Sequence, residues 1–295
     1  MHVNVGCEFR HQASWPTPSI WQVRPRPEGP HELLEQSWAV SPSVAMTHYI
    51  DLFGNLCDRF TLPAGDSVVR YDALVKVSES RDEADLDVAQ LAVEELPNDT
   101  LVYLLPSRLC LSNTLADQAW ELFGDGPTGW RRVQAVCDWV HNNVRYDDSQ
   151  STPLTTSLDV WERRGGVCRD FSQMAVTFCR SLNIPARYVF GYLPDIDVPI
   201  PDYPMDFCAW FEAYLGDRWW TFDPRNNKRR VGRVVIGRGR DAVDVAMVTT
   251  YGAPVLEQMT VWADEVVSAD VRTTADRLAE GGGGRPEQPP GSATR

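Results

Sequence analysis

Cys168 is the residue of this chain best placed to act as a nucleophile. It follows Gly165-Gly166-Val167 and opens a run in which Phe171, Ala175, Phe178, Cys179 and Leu182 share one helical face. A cysteine in the first turn of a helix sits beside unpaired backbone N–H groups and the positive end of the helix dipole. Both favour the thiolate, which is the reactive form. A free cysteine is also commonly a small buried hydrophobe, so this stretch alone leaves both roles open.

Two downstream segments bear on the choice. Met205 to Leu215 and Arg218 to Asn227 flank Gly216-Asp217, a two-residue hairpin signal. That loop length sets Leu215 opposite Arg218, Trp210 opposite Asp223 and Cys208 opposite Arg225. Positions 208 and 223 then share a face as diagonal neighbours, roughly 7–8 Å apart at the backbone. A cysteine on a helix, facing a hairpin that carries a second titratable side chain and an acid, is the layout of a thiol triad.

These segments resemble the transglutaminase-like family in its bacterial form. Gly166 to Phe171 matches the family's Gly-x-Cys-Arg-Asp-Phe around the nucleophile. Asp206 to Tyr214 matches the segment of the base, and Thr221 to Asn227 matches Thr-Phe-Asp-Pro-x-x-Asn around the acid. The resemblance implies catalytic residues Cys168, Cys208 and Asp223, with Cys208 standing where the family has its triad histidine. It further implies peptidase, amidase or acyl-transfer chemistry on a peptide, protein or acyl-thioester substrate, with no cofactor and no metal. Gln173 stands where many relatives carry another histidine.

Cysteine is a poor replacement for imidazole as a base, because its ordinary pKa of about 8.5 suits neither taking a proton from another thiol nor returning it to an amine. Three functions follow. Cys168 works as an acyl-transfer nucleophile in a variant triad. Alternatively, the cleft is a catalytically impaired binding site for a peptide or protein. Or Cys168 and Cys208 form a redox-gated or metal-binding pair. The five histidines, His2, His11, His31, His48 and His141, all precede Cys168 and are expected to be structural.

The positioning elements fall into an α+β arrangement. Residues 1–105 read as a β-rich, sandwich-like module, from the alternation of Val3, Val5, Cys7 and Phe9 and of Val69, Tyr71, Ala73, Val75 and Val77, with a hairpin signal at Gly54-Asn55. Residues 106–267 form the transglutaminase-like, papain-like core, whose helices include Trp130-Val133-Cys137-Val140-Val144 and a short one from Ser157 to Arg164. Leu193 to Pro204, with four prolines, reads as a loop rimming the cleft. Val243–Thr249 and Met259–Val267 read as strands closing the core sheet. The acidic run Glu79–Asp87 and the basic cluster Lys228-Arg229-Arg230, Arg233, Arg238 and Arg240 read as solvated loops, the latter with an anion site as its alternative. Residues 268–295, with Gly281 to Gly284, read as a flexible tail.

A net charge of −13 argues against nucleic acid and an anionic membrane surface. No apolar run is long enough to span a bilayer, no signal-peptide pattern opens the chain, and seven cysteines without C-x-x-C pairs suit a reduced cytoplasmic protein. Oligomeric state is not legible.

Overall fold

A computed structural model describes residues 1–266; the tail expected at 268–295 lies outside the described residues. Strands β1 (His2–Ala13), β2 (Thr17–Trp21), β3 (His31–Ser41), β4 (Thr47–Ile50), β5 (Leu56–Leu62) and β6 (Gly65–Val77) come first. Helices α1 (Ala116–Phe123) and α2 (Trp130–Asn143) follow, then β7 (Arg145–Tyr146), α3 (Ser157–Arg163) and β8 (Gly165–Gly166). The chain continues through α4 (Cys168–Ser181), β9 (Ala186–Tyr192), β10 (Cys208–Leu215), β11 (Arg218–Phe222) and β12 (Val234–Gly239). It closes with β13 (Val248–Thr250) and β14 (Val255–Val266).

Alternation built the N-terminal sheets as anticipated. Val3, Val5, Cys7 and Phe9 of β1 are buried, and β1 pairs antiparallel with β6 along its whole length. Two four-stranded sheets result, in the orders β14-β1-β6-β3 and β13-β2-β5-β4. Their inclusion of β13 and β14 corrects the expectation that these strands close the core sheet. β14 adds to the free edge of β1, from His2↔Val266 to Gln12↔Val255, and β13 adds to β2. The physical reason is an edge to be covered: β1 and β2 each have an unpaired side, and the returning chain supplies the missing hydrogen bonds.

The core sheet has the order β11-β10-β9-β12. One face packs on α4, which is buried from Asp170 to Arg180 and is wrapped by α1, α2 and α3. The other face, through Tyr188, Phe190, Tyr192, Val234 and Ile236, merges with the apolar interior of the N-terminal sheets. Tyr192 seals that junction, its hydroxyl donating to the Val23 carbonyl at 2.8 Å. The N-terminal sheets therefore form the second wall of the core sheet's apolar interior.

The acidic run is exposed as expected except at Asp82, whereas part of the basic cluster departs from its solvated reading. Asp82, inside the acidic run, accepts a forked pair from Arg233 Nε at 2.9 and 3.0 Å, and Arg230 donates to Asp195 at 3.1 Å. Arg230 and Arg233 are buried. Arg238 pairs with Glu212 and Arg240 with Asp244. The acids and bases neutralise one another under the surface, a pairing of residues distant in sequence that composition does not reveal.

Candidate active site

The hairpin register is the one its turn dictates. Leu215 pairs with Arg218 and Phe211 with Phe222, around Gly216, whose φ of 61° is open to glycine without strain. The ladder stops there, leaving Cys208 at the first position of β10 and Asp223 just past the end of β11.

Cys168 is the first residue of α4. Asp170 caps the helix by accepting from the Val167 N–H at 2.9 Å, and it also accepts from the Ser151 hydroxyl and from Arg169. A Cβ on Gly166 would come within 2.8 Å of the Asp170 carboxylate, so glycine there lets the cap turn back. The half-buried Cys168 lines a cleft of about 160 Å³ with Cys208, Tyr146, Asp206, Tyr203 and Arg225. The proline loop supplies Leu193, Asp195, Pro201, Tyr203 and Pro204 to the same cleft, so it does form a rim.

Cys168 and Cys208 line the same cleft and influence each other's ionisation, and neither is in a disulfide. Cys168 is held below the usual thiol range. The interaction with Cys208 is the main cause; it and the Ala209 backbone and Arg225 outweigh the opposing effects of burial and Asp206. Cys208 is pushed well up by that same interaction, by burial, and by the charges of Cys168 and Asp223. The two shifts run in opposite directions, so Cys168 is the sulfur of the pair that ionises first while Cys208 keeps its proton. The other five cysteines are also pushed up, burial being the largest cause for each, Cys7 and Cys110 to about 12.

Asp223 is buried and fully engaged. It accepts from Asn226 N–H at 2.9 Å, from Asn226 Nδ2 at 2.8 Å and from Arg233 at 2.9 Å. Arg233 joins Asp223 to Asp82 and lies over the Trp210 ring at 4.8 Å. Asp223 thus acts on Cys208 through its charge, with its hydrogen bonds directed elsewhere.

Among the described residues no histidine lines the cleft. His141 donates from Nδ1 to the Arg225 carbonyl at 2.9 Å, which steadies the turn after Asp223. His31 is tied to the Arg26 carbonyl and pushed down to about 4 by burial, and His48 is bound to Asp58. Gln173 is buried, its side-chain oxygen accepting from Ala242 N–H at 3.2 Å. Trp161 stacks on Trp139 in the helical core.

Sequence reasoning missed Arg225 and Arg233. Arg225 reaches into the cleft, donates to the Tyr203 hydroxyl at 2.8 Å and covers the Tyr146 ring at 4.7 Å. The hairpin register had already set it opposite Cys208, and that was the available signal. Arg233 carried none, since its partners Asp82 and Asp223 are joined by folding alone. No group of three or more His, Cys, Asp or Glu side chains suited to a metal occurs among the described residues. No helix there is long and apolar enough to cross a membrane.

A model of the transglutaminase-like superfamily matches residues 119–224, which span Cys168, Cys208 and Asp223. A solved structure of a candidate cysteine protease from Cytophaga hutchinsonii superposes with a TM-score of 0.82. It is 30% identical, and the match covers 91% of each chain. An uncharacterised protein of Mycobacterium leprae is 26% identical over 215 residues, 70% of this chain and 75% of that one. An uncharacterised protein of Mycobacterium tuberculosis is 30% identical over 115 residues, 36% of this chain and 37% of that one. By its fold, by the order of its motif segments and by these matches, the chain belongs to the transglutaminase-like superfamily.

Proposed function

We propose that this protein is a thiol acyl-transfer enzyme in which Cys168 attacks an activated acyl group, a thioester before a peptide. One observation carries the reading: the sulfur lowered toward its thiolate is also the one at a helix N-terminus, in a cleft it shares with Cys208 and Arg225. Attack forms a Cys168 acyl-enzyme. The Cys168 backbone N–H and the Arg225 charge are the groups of this cleft suited to favour the developing oxyanion. Cys208 keeps its proton beside the thiolate, chiefly through its interaction with Cys168 and its burial, with the charges of Cys168 and then Asp223 adding to both. A thiol held so far up does not accept a proton at neutral pH, so amide hydrolysis lacks an efficient base. A thioester expels a good leaving group without one. Water or an amine then releases the acyl group.

The test is intact-mass analysis after mixing with an acyl thioester, a p-nitrophenyl ester and a peptide amide in parallel. An acyl adduct that maps to Cys168, from the thioester or ester and not from a Cys168→Ala variant, is expected. No adduct at Cys168 from any of the three sinks the reading. A second reading, a cleft that binds without reacting, is favoured by the full engagement of Asp223 by Arg233 and Asn226. It expects peptide binding without an adduct. We further assign the chain to a reducing compartment, the cytoplasm, on its free thiols. Its division into a β-rich unit and a catalytic unit is likewise our assignment, with β13 and β14 counted in the first.

A further inference from the structure

The Cys208 thiol has an environment that acyl transfer does not require. Its side chain is buried among Val189, Leu193, Trp210 and Val235, apolar neighbours that offer it nothing polar. It makes a weak hydrogen bond to the Ala209 carbonyl at 3.7 Å, and the residue that shares its cleft and shifts its ionisation most is Cys168. Both sulfurs line the same cleft, which is polar where Arg225, Tyr203 and Asp206 border it and is therefore open to a small polar oxidant. Cys168 begins α4 and Cys208 begins β10, so each lies at the end of an element, where a small backbone adjustment breaks few hydrogen bonds. No third ligand completes a metal site with them among the described residues.

We propose that Cys168 and Cys208 form a peroxide-responsive dithiol, in which a hydroperoxide oxidises Cys168 and Cys208 then closes a reversible disulfide that shuts the cleft. The proposal rests on the thiolate assigned to Cys168 above and adds an oxidant as a second class of substrate.

The Cys168 thiolate attacks one peroxide oxygen. An S–O bond forms, the O–O bond breaks, and hydroxide leaves beside the Arg225 guanidinium. Cys168 is oxidised by two electrons to a sulfenic acid and the peroxide is reduced. The Cys208 proton goes to the departing hydroxide, giving water. The Cys208 sulfur then attacks the sulfenic sulfur, the S–S bond forms, the S–O bond breaks, and a second water leaves after protonation by solvent. The sum is two thiols and one hydrogen peroxide giving one disulfide and two waters. A dithiol reductant reverses it by exchange. The first step also prepares the second. Cys208 is held protonated chiefly by its interaction with Cys168 and by burial, with the thiolate's charge next. A neutral sulfenic acid removes that charge and weakens that interaction.

The molecule carries its own control. Cys137 lies near enough to Cys179 to be shifted by its charge, yet both are sealed in the helical core. They are expected to stay reduced.

The experiment treats the reduced full chain with equimolar hydrogen peroxide, then blocks with N-ethylmaleimide and maps the peptides without reductant. A Cys168–Cys208 crosslinked peptide is expected, with Cys168 alkylation down about tenfold and restored by dithiothreitol. In a Cys208→Ser variant the sulfenic acid is expected to persist and be captured by dimedone. Unchanged Cys168 alkylation after peroxide overturns the proposal. So does oxidation of Cys168 to sulfinic acid with Cys208 still free, or a crosslink between any other pair. Iodoacetamide labelling of the reduced protein separates the two readings. Prompt labelling of Cys168 without a crosslink leaves acyl transfer standing and removes the switch. A crosslink with no acyl adduct from any of the three acyl donors does the reverse.

Discussion

The two ends of α4 place similar chemistry in opposite settings. Cys179, in the last turn, faces Cys137 across an interior of Val133, Val140, Phe178 and Leu182, and burial drives its thiol up. Cys168, in the first turn, faces Cys208 across a cleft that also holds Arg225, and its thiol is driven down. Each pair consists of one α4 cysteine and a cysteine from a neighbouring element. The difference lies in what else is near: helix N–H groups, the Arg225 guanidinium and a second sulfur in a cleft at one end, and at the other an apolar interior whose burial outweighs the Arg180 charge. A cysteine's reactivity in this fold is therefore set by its end of the helix.

The largest effect expected is the loss of that asymmetry when a sulfur is removed. Cys168→Ser should cut alkylation by iodoacetamide near pH 7 by roughly 100-fold or more, because the thiols that remain are protonated or shut away. Cys179→Ser should leave that labelling untouched and cost about 1–3 kcal/mol of stability by urea unfolding, through a buried hydroxyl without a partner. Equal labelling of the parent and the Cys168→Ser variant would erase the distinction between the two ends.

Next in size is Arg233→Met. The cleft end is braced from behind by charge, since Arg233 bridges Asp82 and Asp223 while almost fully buried. Removing the cation leaves two partly or fully buried carboxylates facing each other, at a cost of about 3–5 kcal/mol. Asp82→Asn combined with Arg233→Met should recover part of that loss. A single Arg233→Met variant as stable as the parent would mean that the bridge contributes nothing net.

What the sequence disclosed follows from the range of the interaction concerned. The hairpin register came from a two-residue turn and the strand period, both local, and Phe211↔Phe222 bears it out. The buried stripes of α2 and α4 came from helical spacing in the same way. Long-range partners were not legible. β14 looked like a strand, but nothing within Val255–Val266 says that its neighbour is β1. Asp82 looked like one acid in a solvated run until folding brought Arg233 to it. The pairing of Cys208 with Cys168 was visible through the family's motifs, whereas the burial of Cys208 among Val189, Leu193, Trp210 and Val235 was not, because those neighbours come from three separate segments.

Alkaline pH should separate the two ends by sign. For the buried thiols, Cys110 and Cys179 among them, the folded value lies above the unfolded one. Their contribution is complete below about pH 8.5 and is lost as pH rises, since the unfolded thiols then ionise while the folded ones do not, at up to about 1.4 kcal/mol per thiol per pH unit. Cys168 runs the other way: its folded value lies below, so its contribution is present at alkaline pH and is lost as pH falls through the folded value. Urea unfolding between pH 8.5 and 10, before tyrosines titrate, should show falling stability, with a shallower slope in Cys110→Ala. A flat profile across that interval would contradict the burial assigned to these thiols.

The smallest effect expected is at the cap. Asp170→Asn keeps the side chain's size but weakens its acceptance from Val167 N–H and the Ser151 hydroxyl, which should cost about 1 kcal/mol. Its influence on Cys168 can be read separately. Loss of a nearby negative charge, acting alone, would favour the thiolate and speed alkylation at pH 7. Fraying of the first turn would instead carry Cys168 away from Cys208 and from the Ala209 backbone, and would slow it. Slower alkylation is expected, because the interaction with Cys208 is the largest influence holding Cys168 down and it depends on where the helix starts. Faster alkylation would show that charge outweighs position at this end of α4.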